Sequence, residues 1–197
     1  MTGEKFSRIK TTLPGIFVIT PRIFRDSRGF FMESYTRNDF QGIGIPDEFV
    51  QDNHSCSQKG VLRGLHFQSR YPQGKLVRVV SGSIFDVVVD IRKGPPTWKE
   101  WIAVTLSAHD PSLLWVPPGC AHGFLSLEDN TNVLYKTTEY YHPEYDAGFR
   151  WDDPDLDIPW PLKDLGMGIP LISPKDAALP LLSEMESPFF FEEDIEW

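Results

Sequence analysis

The sequence predicts an all-β domain, a sandwich or barrel of many short strands with one short helix near its C-terminal end. Short runs rich in β-branched and aromatic residues recur along the chain, and turn residues separate them, among 17 prolines and 15 glycines. Helical periodicity is scarce before residue 173. The 197 residues fit one domain, and a chain of this size buries about 70% of its unfolded surface without disulfides.

Nine runs carry the strand signal. They cover residues 16–20, 30–35, 62–68, 75–80, 84–91, 101–106, 113–116, 123–127 and 133–141. The clearest hairpin signal lies at 75–92, where the turn residues 81–83 separate two strongly β-prone arms. In the second arm, strand alternation groups side chains by face. One face carries Phe85, Val87, Val89 and Ile91, and the other carries Asp86 and Asp90.

The helix signal begins at Ser173. This serine is a cap residue, Pro174 takes the first helical position, and Asp176 supplies an acid before an apolar run that ends at residue 182. The acidic, aromatic segment that follows has no clear periodicity, and the sequence gives it no function. We therefore expect one domain over 1–182 and a C-terminal tail over 183–197.

The charge balance restricts the partners. A formal net charge of −9 repels nucleic acid and anionic membranes, so an anionic substrate would need a locally basic pocket. The polar N-terminus lacks an apolar signal segment, and no stretch approaches the roughly 18 apolar residues of a membrane span. Cys56 and Cys120 lack a CxxC spacing and suit free thiols in a reducing compartment. We expect a cytoplasmic protein with neither a nucleic-acid nor a membrane partner.

The densest group of candidate functional residues is the segment RGLHFQ at 63–68. Alternation places His66 and Gln68 on one face of the strand and Arg63 on the other. A bulge or kink at Gly64 would bring Arg63 and His66 into one cavity, because glycine within a strand marks such bulges. The alternative is that His66 is a hydrogen-bonded core histidine.

A second motif, PPGCAHG at 117–123, is a tight turn that leads His122 into the next strand. Its P-x-G-x-x-H pattern resembles the second motif of the cupin jelly-roll superfamily. Metal-binding cupins pair that motif with an H-x-H and a nearby Glu, whereas this chain has His66, Phe67 and Gln68 there. Two of the usual four ligands are too few to hold a transition metal. We expect no metal, and histidines that are free for acid–base work or anion contacts.

Four further residues each have a functional and a structural interpretation. Tyr135 and Tyr141 are six residues apart in one predicted strand, which places them on the same face, in a site or in the core. Lys75 opens a strand after a glycine, where a solvated edge lysine is the alternative. Asp176 could serve only as the acid of the helix cap.

Eight segments together resemble the dTDP-4-dehydrorhamnose 3,5-epimerase family. The match runs from about residue 11 to 182 in a constant order with near-constant spacing, which makes it specific although each segment alone is weak. The segments are D-x-R-G-F-F-x-E at 26–33, QDNHS at 51–55, VLRGLHFQ at 61–68, QGKLVR at 73–78, FDVVVDIR at 85–92, AHGF at 121–124, LYK at 134–136 and S-x-K-D at 173–176.

The resemblance implies a cupin-like β-jelly-roll barrel that works as a homodimer without metal or organic cofactor. The implied reaction converts dTDP-4-dehydro-6-deoxy-D-glucose, a dTDP-linked 4-keto-6-deoxyhexose, to dTDP-4-dehydro-L-rhamnose by epimerisation at C3 and C5, a step of dTDP-L-rhamnose biosynthesis. His66 would be the proton acceptor, Tyr135 the proton donor and Asp176 the partner of His66, with Lys75 beside the substrate ketone.

The resemblance also implies a set of substrate-binding residues. Arg63 and His122 would lie near the diphosphate, and Tyr141 would stack on thymine. The segment that carries Arg28 and Glu33 would reach the site of the partner subunit. The remaining contacts would come from Gln51 and Asn53 around the nucleotide and from Lys175 and Asp146, which stands where the family has Glu.

These residue types suit the reaction. Both C3 and C5 flank the C4 ketone, so removal of either proton gives an enolate with its charge largely on O4. Imidazole has a pKa near neutrality, and a carboxylate behind it fixes its tautomer. A lysine can stabilise the enolate oxygen. Inversion needs the proton to return on the opposite ring face, which a phenol across the cavity could supply.

Two alternatives remain open from the sequence. A 3-epimerase or a 3,4-ketoisomerase acting on the same class of nucleotide sugar would use overlapping residues. A non-catalytic cupin module that binds a nucleotide or sugar would not need a base paired with an acid. Proton exchange in D₂O separates them, because a binding module exchanges no proton and a 3-epimerase exchanges mainly at C3.

Overall fold

The computed structural model describes residues 4–45, 48–94 and 97–191, which fold into a mostly antiparallel β structure. The strands are β1 Phe6–Lys10, β2 Phe17–Pro21, β3 Ile23–Asp26, β4 Gly29–Met32, β5 Gln51–Ser57, β6 Leu62–Gln68, β7 Lys75–Ser81, β8 Ser83–Asp90, β9 Trp101–Ser107, β10 Leu113–Val116, β11 Cys120–Ser126, β12 Thr131–Thr137 and β13 Asp146–Gly148. Helix α1 spans Arg37–Gly42, helix α2 spans Pro174–Ala177, and 3-10 turns occur at Pro143–Tyr145 and Leu182–Glu184. The all-β prediction is confirmed.

Two sheets enclose the core. The larger has the order β1-β2-β10-β7-β12-β5, the smaller has the order β13-β6-β11-β8-β9, and β3 and β4 form a separate hairpin. Val77 and Val79 of the larger sheet share one buried cluster with Ile84 and Val88 of the smaller. This apolar layer between the sheets fixes the position of the site that both sheets line.

The outer face of the smaller sheet is covered as well. Val87 and Val89 of β8 pack with Trp160 and Phe149 from the C-terminal part of the chain. The predicted grouping of faces in β8 is therefore confirmed, but its apolar side faces this outer layer. Asp86, on the opposite side, is fully buried between the sheets.

The predicted hairpin at 75–92 is wrong. Strand β7 pairs with β10 and β12, whereas β8 pairs with β11 and β9, so the turn at Gly82 carries the chain from one sheet to the other. Gly82 has a φ of +74°, and a Cβ there would lie 2.4 Å from Oγ1 of Thr131. Turn residues indicate a reversal of the chain, but they do not determine whether the two arms bond to each other.

Several elements lack a signal in the sequence. The prediction omitted α1 and the strands β1, β3, β5 and β13. Strand β5 has the sequence QDNHSCS and is almost wholly polar, yet it pairs along its whole length with β12. Its backbone bonds to a neighbour that lies far away in sequence, and no local pattern encodes that pairing.

Two predicted boundaries are corrected. Strand β12 ends at Thr137, so Tyr141 lies in the following loop and does not share a strand with Tyr135. The cap at Ser173 is confirmed, since its Oγ accepts a hydrogen bond from the Asp176 N–H at 3.0 Å. Helix α2 nevertheless ends at Ala177, because a proline at 180 interrupts the apolar run that was expected to extend it.

The first part of the C-terminal tail packs on the smaller sheet. The Ser187 hydroxyl donates to the Ile91 carbonyl, and the ring of Phe189 lies 5.9 Å from that of Phe67 in β6. The tail beyond residue 191 lies outside the described residues. Cys56 is exposed and Cys120 buried, and both thiols are free, as predicted. Within the described ranges, no helix is long and apolar enough to cross a membrane.

Candidate active site

A cavity of about 560 Å³ opens between the two sheets. Strands of both sheets, the loop after β12 and the start of α2 contribute its walls. Eleven of the thirteen residues predicted for the site line it: Gln51, Asn53, Arg63, His66, Lys75, His122, Tyr135, Tyr141, Asp146, Lys175 and Asp176.

His66 and Asp176 form a hydrogen-bonded pair in this cavity. Nε2 of His66 lies 2.7 Å from Oδ1 of Asp176, and their side chains are 29% and 6% exposed. Burial raises the pKa of Asp176, but the hydrogen bond and charge interaction with His66, together with hydrogen bonds from Ser173 and Gly64, leave the pKa below its usual value. Asp176 therefore stays ionised behind an accessible imidazole, which excludes the interpretation of Asp176 as a cap residue only.

The bulge expected at Gly64 is present. His66 pairs with His122 and Arg63 pairs with Phe124, so β6 contains one more residue than β11 over this stretch. Gly64 has a φ of +126°, and a Cβ on it would lie 2.5 Å from the Gly123 Cα. Because of this bulge, Arg63 and His66 both line the cavity.

Tyr135 and Lys75 project from the larger sheet, on the wall opposite His66. Burial raises the pKa of the Tyr135 phenol, which keeps it protonated at neutral pH. Burial lowers the pKa of Lys75 to about 8, although Asp146 and Asp86 act in the other direction. Strand β7 lies in the middle of its sheet, and Nζ of Lys75 donates to the His66 carbonyl at 3.4 Å. The interpretation of Lys75 as a solvated edge lysine is thus wrong.

Tyr141, Asp146 and Lys175 form a group at the rim. The Tyr141 hydroxyl donates to Oδ2 of Asp146 at 2.7 Å, and Lys175 donates to the same oxygen. The hydrogen bond with Asp146 raises the pKa of Tyr141 to about 12. Burial raises the pKa of Asp146, but the bonds from Lys175 and Tyr141 leave it below its usual value. Asp146, at the position where the resemblance led us to expect Glu, thus reaches both partners.

His122 is held from behind by a buried carboxylate. Its Nε2 bonds to Oδ1 of Asp86, a residue with no exposed surface, and the second carboxylate oxygen of Asp86 has no hydrogen-bond partner among the residues that the structure describes. The sequence analysis placed Asp86 on a face but gave it no role. A charged residue within an apolar run was the signal that could have found it.

The lining provides the local positive charge that the net charge of −9 made necessary. Arg63, Lys75 and Lys175 give three cations against the two carboxylates Asp146 and Asp176. Nε of Arg63 donates to the Ser57 hydroxyl at 3.2 Å, which leaves part of its guanidinium for a ligand. Such a cavity suits an anion with several oxygens.

Arg28 and Glu33 do not line the cavity of their own chain. Arg28 pairs with Asp26 at the tip of the β3–β4 hairpin, with its side chain 88% exposed. Glu33, just after β4, accepts from Lys5 at 2.9 Å. The hairpin also exposes Phe31, which is 65% accessible. A single chain does not bring this segment to the site.

The cavity lacks the ligands of a metal site. Among the residues that the structure describes, no three His, Cys, Asp or Glu side chains converge. Gln68 stands where metal-binding cupins carry their second histidine, and its amide bonds to backbone groups of neighbouring loops. A transition metal would have His66 and His122 but no further strong ligand there.

A family model for dTDP-4-dehydrorhamnose 3,5-epimerase matches residues 10–184. A relative from Methanothermobacter thermautotrophicus, named dTDP-4-dehydrorhamnose 3,5-epimerase, is 54% identical over 159 residues, which are 81% of this chain and 86% of the relative. A relative of the same name from Salmonella typhimurium is 49% identical over 89% of this chain and 95% of its own.

Solved structures give the same result. The dTDP-6-deoxy-D-glucose-3,5-epimerase of Legionella pneumophila, in complex with dTDP-4-keto-L-rhamnose, has a TM-score of 0.90 at 45% identity over 95% of this chain and 99% of that chain. A 3'-monoepimerase from Streptomyces bikiniensis, in complex with dTDP-quinovose, has a TM-score of 0.79 at 32% identity over 88% and 86%. These matches confirm the cupin-like jelly roll expected from the sequence.

Proposed function

Because the chain belongs to the dTDP-4-dehydrorhamnose 3,5-epimerase family, we propose that His66 and Tyr135 carry the two proton transfers of its reaction. The protein is an isomerase that epimerises C3 and C5 of dTDP-4-dehydro-6-deoxy-D-glucose to give dTDP-4-dehydro-L-rhamnose, in dTDP-L-rhamnose biosynthesis. The observation that carries the assignment is the His66–Asp176 pair on one wall of a cavity whose opposite wall carries Tyr135.

In the first half of each inversion, His66 removes the proton from C3 or C5. The neutral imidazole takes the proton on a ring nitrogen, and the electron pair of the C–H bond moves towards the ketone to form an enolate. Asp176 bonds to Nε2 of His66, which leaves the other ring nitrogen to act as the base and stabilises the imidazolium that forms. Lys75 donates to the O4 oxyanion, where a charged donor is worth roughly 10²–10³ in rate.

In the second half, Tyr135 returns a proton to the opposite ring face. The raised pKa of its buried hydroxyl keeps the phenol protonated until the enolate carbon takes the proton. The two groups lie on strands of different sheets, β6 and β12. The geometry therefore supports loss on one face of the sugar and return on the other.

The remaining lining residues hold the nucleotide. Arg63 and His122 contact the diphosphate, and a guanidinium fork suits its oxygens. Tyr141 stacks on thymine with its half-exposed ring. The other contacts come from Gln51 and Asn53, which bond to each other at 2.9 Å, and from Asp146 and Lys175.

We assign Arg28 and Glu33 to the site of a partner subunit in a homodimer, with exchange of the hairpin segment near the active site. Two observations support this. In the described part of the chain the hairpin pairs with neither of the two larger sheets, and exposed phenylalanines on it form the kind of apolar surface that marks an interface. The cytoplasm is the proposed compartment, which free thiols at Cys56 and Cys120 support.

Deuterium exchange tests the function and its alternatives together. We expect incubation with dTDP-4-dehydro-6-deoxy-D-glucose in D₂O to place deuterium at both C3 and C5 and to give the doubly inverted sugar. Exchange confined to C3 would indicate a 3-epimerase, which the lower 32% identity to the monoepimerase disfavours. Movement of the ketone would indicate a 3,4-ketoisomerase, and absence of exchange a binding module.

A further inference from the structure

Gln68 is a buried polar residue beside the proposed base that the mechanism does not use. It ends β6 two residues after His66, lines the same cavity and is 4% exposed. Its amide is fully engaged. Nε2 donates to the Tyr71 carbonyl at 2.7 Å and to the Tyr140 carbonyl at 3.1 Å, and Oε1 accepts from the His142 N–H at 2.7 Å.

Two of these bonds hold the backbone on either side of Tyr141. The Tyr141 N–H donates to Oε1 of Gln51 at 3.0 Å, so three successive residues of the loop each have a backbone group bound to a glutamine side chain. The loop lies outside the sheets, and its backbone groups have no strand to pair with. The Gln68 side chain supplies the hydrogen bonds that a neighbouring strand would supply in a sheet.

Gln68 also lies next to the group that fixes the tyrosine ring. Asp146 of β13 is its partner across the β6–β13 pair, and Asp146 accepts the Tyr141 hydroxyl at 2.7 Å. The backbone and the ring of Tyr141 are therefore both held in position relative to the end of β6. A shift of the loop would move the ring relative to His66.

Only an amide can make these bonds together. A carboxylate keeps the acceptor for the His142 N–H but offers no donor to the two carbonyls, and a methionine offers neither. A buried backbone group that loses its hydrogen-bond partner destabilises the conformation that buries it. Substitution of Gln68 should therefore allow the loop to leave its present conformation.

We propose that Gln68 is a positioning residue that holds Tyr141 in place for the nucleotide base and thereby couples the catalytic strand to nucleotide affinity. The proposal rests on the proposed stacking role of Tyr141. Gln68 occupies the position of a metal ligand in other cupins, and in this chain its amide organises a binding loop.

A double-mutant cycle with dTDP as the probe tests the coupling. We expect Tyr141→Ala to raise the dTDP Kd roughly 5- to 150-fold, the range of a lost base–aromatic stack. Gln68→Met should raise the Kd at least about 2-fold, the factor that corresponds to the lower end of one net hydrogen bond. In the Tyr141→Ala background, Gln68→Met should cause no further loss. At saturating substrate, Gln68→Met should retain deuterium exchange at C3 and C5.

Each outcome decides a different point. Additive losses in the double variant overturn the positioning role, and so does an unchanged Kd in Gln68→Met. An unchanged Kd in Tyr141→Ala overturns the stacking role and the inference with it. Gln41→Met on the exposed surface of α1 is the matched control and should bind dTDP like the parent. Should Gln68→Met fail to fold, Gln68→Glu takes its place in the same cycle.

Discussion

Tyr135 and His66 face one cavity from different sheets, and this placement allows proton removal and proton return to be separated by substitution. Each residue had a structural alternative in the sequence, as a core aromatic or a core histidine. The lining of a common cavity and the carboxylate behind His66 favour the catalytic interpretation of both.

Tyr135→Phe should strongly slow inversion while it leaves enolate formation partly intact, because only the proton donor is removed. NMR of C3 and C5 deuterium content and of product configuration measures both effects. The change deletes one hydroxyl, so stability should fall by at most roughly 0.5–1.5 kcal/mol.

His66→Asn should instead lower deuterium exchange at both carbons by at least roughly 10²–10⁴-fold, because it removes the proposed base.

Tyr71→Phe is the control for Tyr135→Phe, since Tyr71 is exposed and does not line the cavity. It should keep parent activity. Doubly inverted product from Tyr135→Phe at close to the parent rate would show that another donor protonates the enolate. Near-normal deuterium wash-in by His66→Asn would remove His66 as the base.

Deprotonation of Lys75 should lower the activity at high pH. Its ammonium is the active form, and burial lowers its pKa to about 8, so kcat/KM should fall as the pH rises through about 8. The unfolded state keeps the proton up to about 10.5. Stability attributable to Lys75 therefore increases between these values as activity declines. A pH profile of kcat/KM and denaturant unfolding measure the two trends.

Lys75→Met should remove this basic limb and lower kcat by roughly 10²–10³-fold, without lowering the free energy of unfolding, because no charge remains to be desolvated. Lys10→Met, on the exposed face of β1, should change neither quantity. A profile of the parent that stays flat to pH 10 would contradict the role of Lys75 as a charged donor.

At the scale of elements, the bulge in β6 decides which side chains reach the cavity. Regular alternation would put Arg63 and His66 on opposite faces, and the additional residue at Gly64 puts them on the same one. The close approach of Gly123 to Gly64 leaves no room for a side chain. The catalytic strand therefore depends on glycine at this position.

Gly64→Ala should destabilise the protein and reduce its activity. The positive φ contributes about 1–3 kcal/mol of strain, and crowding against the Gly123 backbone contributes a similar amount. Gly42→Ala at the end of α1 meets no atom within 4 Å and should be neutral or slightly stabilising. Thermal unfolding and turnover of the two variants give the comparison, and parent-like behaviour of Gly64→Ala would contradict the need for glycine at this position.

At the scale of the whole molecule, the chain is acidic while its cavity carries an excess of one positive charge. The cavity also lacks the ligand set of a metal cupin. Exhaustive chelation should therefore leave turnover unchanged, as measured with the dialysed enzyme before and after addition of divalent ions. Activity that is lost on chelation and restored by a divalent ion would overturn this prediction.

The dimer proposal makes a prediction about mixed subunits. Arg28→Ala and His66→Asn should each be weakly active alone. Refolding them together should restore about one quarter of the parent activity, because random pairing makes about half of the dimers hybrid and each hybrid holds one complete site. No recovery from a mixture that sediments as a dimer would show that Arg28 does not act across the interface.

The amino-acid sequence was sufficient to predict the β class, the bounds of β6 and β10, the cap at Ser173 and eleven of the residues that line the cavity. It could do so because strand alternation, turn and cap chemistry are local, and because the motifs around His66 and His122 keep their spacing along the chain. Tyr141 was identified through the family resemblance, whereas the strand that was predicted to carry it ends at Thr137.

The tertiary structure establishes which strands pair. It placed β7 and β8 in different sheets, made the polar β5 a strand through its pairing with β12, and brought Tyr141 to the cavity on a loop held by Gln68. These features depend on partners that are distant in sequence. A short stretch of sequence contains no information on the backbone bonds and the buried surface that such partners share. The fold of one chain does not place Arg28 and Glu33 in a site, because in the proposed dimer they reach the site of a second chain.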